Sequence, residues 1–174
     1  MVFAHVTKTE PFNATELALL KRYSVVQFDK AQDLESMPYA SQEDRFIAAA
    51  KQIKQANPRA KLLYYLNGLI DFPNFQRLHN HTQSDPALLL KNADGEPVQL
   101  VRYGRGDTKL GTFDMRSEAM RGLFVADAMY GVSSGAFDGV FVDRANFGAR
   151  ALSFLVNGTS SCKAETERER ERER

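Results

Sequence analysis

The sequence predicts an α/β fold built on a parallel sheet. Two observations carry that expectation. Short apolar runs bounded by turn formers alternate along the chain with longer stretches of helical spacing. Several of the apolar runs also end on an oxygen-bearing side chain, namely Asp29, Asn67 and Asp143, with Asp114 closing a briefer one. Strands that alternate with helices imply βαβ units, and βαβ units imply parallel neighbours.

The elements follow in order. Val2–Val6 reads as a first strand. Asn13 and Glu16 have capping-box spacing and open a helix through about Tyr23, with Leu17, Leu19 and Leu20 on its apolar side. Ser24–Phe28 is a second strand ending on Asp29. A loop punctuated by Pro38 leads to Ser41, which can cap a helix whose first turn holds Glu43 and Asp44. Phe46, Ile47, Ala50 and Ile53 recur at helical spacing until Asn57-Pro58 stops the helix. Lys61–Leu66 is a third strand ending on Asn67-Gly68.

Leu69 to Gly111 reads as long and irregular, with a helical turn or two between Asp85 and Leu90 and a turn at Asp94-Gly95. A connection of that length is expected to be a binding loop or lid. Leu110–Phe113 is a short extended piece ending on Asp114. Ser117 to about Val132 is a helix with Met120, Leu123, Phe124 and Ala128 on one side. Phe137–Val142 is a fourth strand ending on Asp143, and Phe147–Val156 a last helix closed by Asn157-Gly158.

Composition narrows the function classes. A chain of 174 residues, 43% hydrophobic and 26% charged, can build one sizeable core. A formal net charge of +1 gives no case for nucleic acid or an anionic membrane as partner. No apolar run approaches the roughly 18 residues of a membrane span, and the opening residues lack a basic region followed by a long apolar stretch. Neither feature assigns a compartment. Cys162 is the single cysteine of the sequence, which excludes an internal disulfide, and it lies in a polar stretch where it is read as incidental. The run Glu167–Arg174 alternates Glu and Arg with no apolar face, so it is expected to be a solvated tail. Glu-Arg repeats are also what a GA dinucleotide repeat encodes. The expectation is therefore a reading frame that has run into simple-sequence DNA, with a genuine charged tail as the alternative.

In a parallel sheet all strand ends of one polarity share one face, so Asp29, Asn67, Asp114 and Asp143 are expected around a common mouth. Carboxylates there can divide into an acid and a base or nucleophile, or hold a hard cation. The bland alternatives are helix capping, which fits Asp114 best, and an ion pair of Asp143 with Arg144. Arg116 and Arg144 are the expected neutralising partners, ahead of Arg121. Tyr64 and Tyr65 project to opposite faces of the third strand, and one of them facing the mouth would suit a sugar ring. Other patterns carry less. Arg105-Gly106-Asp107 arises easily by chance, and Gly104 to Gly111 lacks dinucleotide-site spacing. His79 and His81 are read as a loop pair with only Asp85 as a weak third ligand, so no metal site and no cofactor is expected. Asn13, Asn80 and Asn157 begin glycosylation-type triplets that say little by themselves.

The segment FDGVFVDRANF, preceded by TFDMRSEAMRGLFVADA, resembles hypothetical glycosyl-hydrolase-like proteins with a (β/α)8 barrel, related to the endo-polygalactosaminidase group. LLLKNADGEPV is similar to the loop that precedes their "fD…R" segment. The resemblance covers roughly residues 12–147. It implies a catalytic role for the aspartate that ends the fourth strand, which is Asp143. It matches Asp114 to the aspartate opening the third helix, and Asp29 only by position at a strand end. It implies a carbohydrate substrate, with Asp29, Asn67, Tyr65, Arg116 and Arg144 available to contact it.

Such a barrel has eight strands, and four are legible here. The expectation is thus about half of a TIM barrel over residues 1–157, with residues 158–174 as the charged tail. Its second carboxylate would lie elsewhere, activity would be weak or absent, and exposed sheet edges would invite self-association. Two rival readings remain open: a non-catalytic carbohydrate-binding or self-associating fragment, and a small flavodoxin-like domain that binds a phosphate or cation.

Overall fold

A computed structural model describes residues 2–32, 40–101 and 109–145. Its central sheet has four strands in the order β1 (Phe3–Lys8), β2 (Val25–Gln32), β3 (Lys61–Asn67) and β7 (Gly139–Asp143). Every neighbouring pair is parallel. This is the sequential, all-parallel order expected of barrel βα units, and not the reversed order of a doubly wound sheet. Helices α1 (Ala14–Leu20), α2 (Gln42–Ala56) and α4 (Glu118–Ser133) make the crossovers.

The local signals work as read. Asn13 and Glu16 close a reciprocal capping box on α1. Ser41 caps α2 by accepting from the Asp44 amide, and Ser117 caps α4 by accepting from that of Met120. Asp114 is therefore not the cap of α4.

Register sorts the side chains into two faces. Paired residues of parallel strands point the same way, and alternate residues point oppositely. Tyr64 stands opposite Val140 and Leu66 opposite Val142, on the face covered by helices. There Tyr64, Phe28, Phe46 and Phe137 form one aromatic cluster with ring centroids 5.2–5.7 Å apart. Helix α4 reaches this cluster through Gly131, where an added Cβ would come within 2.5 Å of the Tyr64 ring. At the amino end of β7, Asp138 ties the bottom of the sheet together. It accepts from Lys54, Lys61 and the Leu62 amide at 2.6–2.9 Å. Burial opposes ionisation of its carboxyl, but these donors outweigh it and draw the group down to about 2.

Two expectations need correction. The second strand does not end at Asp29: β2 runs on to Gln32 because, past an irregularity between Val6 and Lys8, Lys8 still pairs with Gln32. Asp29 therefore lies inside a strand. The described residues between Leu69 and Gly111 are also not irregular. They carry helix α3 (Gln76–Ser84), a 3-10 turn at Pro86–Leu88, and a small antiparallel sheet ordered β4 (Ile70–Asp71), β6 (Lys109–Thr112), β5 (Gln99–Val101). Strands of two to four residues are too short to show an alternation, so no pattern announced them. His79 and His81 fall on α3, not in a loop. Expectations for Cys162, the helix at Phe147–Val156 and the tail lie outside the described residues.

Candidate active site

The face of the sheet opposite the helices carries polar groups beside the apolar Leu63 and Phe141. Asn67 stands opposite Asp143, Tyr65 opposite Phe141, and His5 opposite Gln27. At the carboxyl end of the sheet three of these meet. Tyr65 donates its hydroxyl to Asp143 Oδ2 at 2.8 Å. Asn67 Nδ2 donates to the same oxygen at 3.2 Å and to the Tyr65 hydroxyl at 3.0 Å. The orientation of the Asn67 amide is fixed from behind, since its Oδ1 accepts from the Leu69 and Ile70 amides at 3.0 and 2.8 Å. Its amino group must then face Asp143. The aspartate is thus held by one edge, and no described residue bonds to Oδ1.

The backbone beneath is tightly drawn. Gly68 donates its amide to the Asp143 carbonyl at 2.9 Å, and a Cβ on Gly68 would meet Val142 Cγ1 at 3.3 Å. Arg144, directly after Asp143, has φ 55°. A side-chain-bearing residue in that region stores of the order of 1 kcal/mol, a cost that tends to collect at functional sites. Burial pushes the Tyr65 phenol up, the Asn67 amide opposes that, and the Asp143 carboxylate adds to it, so the hydroxyl stays a donor.

Asp29 shares this side of the sheet. Thr7 donates to its Oδ2 at 3.1 Å, Lys30 Nζ lies 3.2 Å from both oxygens, and His5 Nε2 stands 3.6 Å away. Burial works against its ionisation, but the Lys30 amide and ammonium and the Thr7 hydroxyl prevail and hold the carboxyl below its usual range. Its charge also acts on Tyr65. Asp114 and Arg116 form a pair of their own, with Nε to Oδ1 at 2.8 Å and NH2 to Oδ2 at 2.9 Å. Arg116 lowers the Asp114 carboxyl accordingly. Arg121 bonds the Met115 and Arg116 carbonyls, and Arg144 has no ion pair among the described residues.

The structure therefore brings Tyr65, Asn67 and Asp143 into contact, and leaves Asp114 with Arg116 as a separate pair. His5, Thr7 and Gln27 were missed in the sequence. Their only signal was the period-two position they share with Asp29 on weakly patterned strands. Among the described residues no group of three His, Cys, Asp or Glu could hold a metal ion.

Comparison with known proteins bears on this geometry. No curated protein sequence matches the chain. A Tris-bound crystal structure of the glucosidase II alpha subunit superposes with a TM-score of 0.53 at 15% identity, covering 81% of this chain and 16% of that one. A DNJ-bound structure of the same subunit and the ER glucosidase II heterodimeric complex each superpose at 0.50, with the same identity and coverage. The likeness is one of fold: the chain spans about a sixth of the length of these structures and forms part of a (β/α)8 barrel. The model of hypothetical glycosyl hydrolase family 15 matches residues 54–173, which include α4, Tyr65, Asn67 and Asp143. On that match, the chain belongs to hypothetical glycosyl hydrolase family 15.

Proposed function

We propose that the chain contributes one carboxylate arm of a glycoside hydrolase site, with Asp143 as its catalytic group and a poly- or oligosaccharide as substrate. The observation that carries the reading is the edge-on grip of Tyr65 and Asn67 on Asp143 at the carboxyl end of a parallel sheet. In (β/α)8 enzymes that end holds the chemistry. A carboxylate fixed along one edge presents its other oxygen in a defined direction, as attack on an anomeric carbon or stabilisation of an oxocarbenium-like transition state requires. Tyr65 and Asn67 are positioning residues in this scheme.

Glycoside hydrolysis takes two carboxyl groups flanking the scissile bond. Asp114 is the candidate partner named by the sequence. Its two-point bond with Arg116 keeps it ionised, which suits charge stabilisation rather than proton donation. The reading therefore assigns the proton donor to a further strand of the barrel, keeps Asp29, Arg116 and Arg144 as substrate contacts, and takes residues 1–157 as barrel and 158–174 as tail. The 174-residue chain alone is expected to turn over little.

Assays of the chain against aryl glycosides and soluble polysaccharides test this. Clear turnover by the chain alone would place both carboxyl groups within it, and Asp114→Asn and Asp29→Asn would then identify the second.

A further inference from the structure

A second polar constellation lies in the excursion between β3 and α4. Asp71, on β4, is 3% exposed, and both of its oxygens are occupied. Oδ1 lies 3.0 Å from His79 Nδ1, and Oδ2 accepts the Thr82 hydroxyl at 2.6 Å. His79 and Thr82 are three residues apart on α3 and so share one face of it. A carboxylate only accepts, so Nδ1 donates to it, and in the neutral ring Nε2 is left as an acceptor. No described residue bonds to Nε2.

His79 is partly exposed, and it lines an open cavity of about 290 Å³. Gln83, Gln99 and Lys109 add polar groups to the walls, and Leu89 and Pro97 add apolar ones. Thr82 alone would tie Asp71 to α3. Burying a carboxylate to orient an imidazole towards open space is a costly arrangement for packing, and is the relation by which a carboxylate fixes a working histidine. The charge of Asp71 is already engaged, whereas Lys109 has no carboxylate partner among the described residues.

We propose that this cavity is a sugar subsite for a ring bearing a carboxylate. A ring hydroxyl donates to His79 Nε2, and the carboxylate accepts from Lys109 Nζ. The proposal rests on the carbohydrate reading of the chain and names the substrate class as an acidic saccharide. Asp71 is a positioning residue that acts through His79.

The test is binding, not turnover. The chain labelled with 15N at histidine is titrated with tri-galacturonate, with maltotriose as the neutral probe and a glucosamine trimer as the cationic one. Tri-galacturonate is expected to shift the His79 ring resonances, to bind more weakly as salt rises, and to lose at least fivefold in affinity in Lys109→Gln. In Asp71→Asn the amide can donate to Nδ1, so the proton moves to Nε2. The nitrogen shifts of the ring should exchange, and affinity should fall at least tenfold. Silence of His79 towards all three sugars would overturn the site. Equal binding of maltotriose, with Lys109→Gln unaffected, would overturn its assignment to an acidic ring. Because the readout is the His79 ring, hydrolysis without a His79 response sinks the subsite alone. A His79 response with little hydrolysis is the outcome expected of the chain alone, and a His79 response in a complete barrel that leaves the sugar intact sinks only the catalytic reading.

Discussion

Asn67 carries more than its size suggests. Its carbonyl satisfies two buried amides, and its amino group steers both Tyr65 and Asp143. Asn67→Ala would orphan the Leu69 and Ile70 amides, at a cost of about 1–3 kcal/mol for each buried donor left unpaired. Thermal unfolding should show that loss. Tyr65→Phe removes a single hydroxyl donor and should leave the melting temperature nearly unchanged while lowering turnover, so the two variants separate structure from positioning. Asp127 makes a different prediction. It is buried, accepts from Arg77 Nε at 2.8 Å, and faces Glu43, which in turn accepts from the Arg77 amide. Burial and then the Glu43 charge push its carboxyl up to about 6, against the pull of Arg77. Burial raises Glu43 as well. In an unfolded chain Asp127 would titrate near 3.9. Between about pH 4 and 6 the folded state keeps a proton that the unfolded chain has lost, so stability falls as pH rises through that window. The loss is of the order of 2–3 kcal/mol. Urea melts at pH 4 and pH 7 should show it, and Asp127→Asn should flatten it.

Helix α4 shows what can and cannot be read from a linear pattern. Its start at Ser117 and its apolar side through Met120 were legible, since capping and 3.6-residue periodicity are local. Gly131 was not, because its role depends on the Tyr64 ring across the interface. Gly131→Ala raises helix propensity, yet it drives a methyl into that ring. Overpacking of this kind costs about 1–3 kcal/mol, so the variant should melt lower in spite of its better propensity. The small sheet β4, β6, β5 was illegible for the converse reason: its strands have no run of their own, and Ile70 of β4 finds its partner only at Thr112 of β6, far along the chain. Asp71 and His79 meet only because that sheet and α3 fold against each other, which no spacing rule could reveal.

Across the molecule, the rhythm of strands and helices foretold the parallel order, and the residues that end β3 and β7 foretold the centre of the candidate site. Asp29 was placed at a strand end because Phe28 looked like the last apolar residue. Pairing with β1 carried the strand further, and Asp29 joined the polar side of the sheet from within. That polar side is the least expected feature of the whole. His5, Thr7, Gln27, Asp29, Tyr65, Asn67 and Asp143 line the surface that a closed barrel would turn towards its axis and mouth. The central claim is that Asp143 does the chemistry there. The measurement that tests it most directly is kcat/KM of Asp143→Asn against the unchanged protein, in a form that completes the barrel, on the best substrate of the panel. The account predicts a loss of roughly a thousandfold or more, of the size that removal of a transition-state interaction produces, with circular dichroism and melting temperature close to those of the parent. Activity within tenfold of the parent, in a variant that is folded, would contradict it.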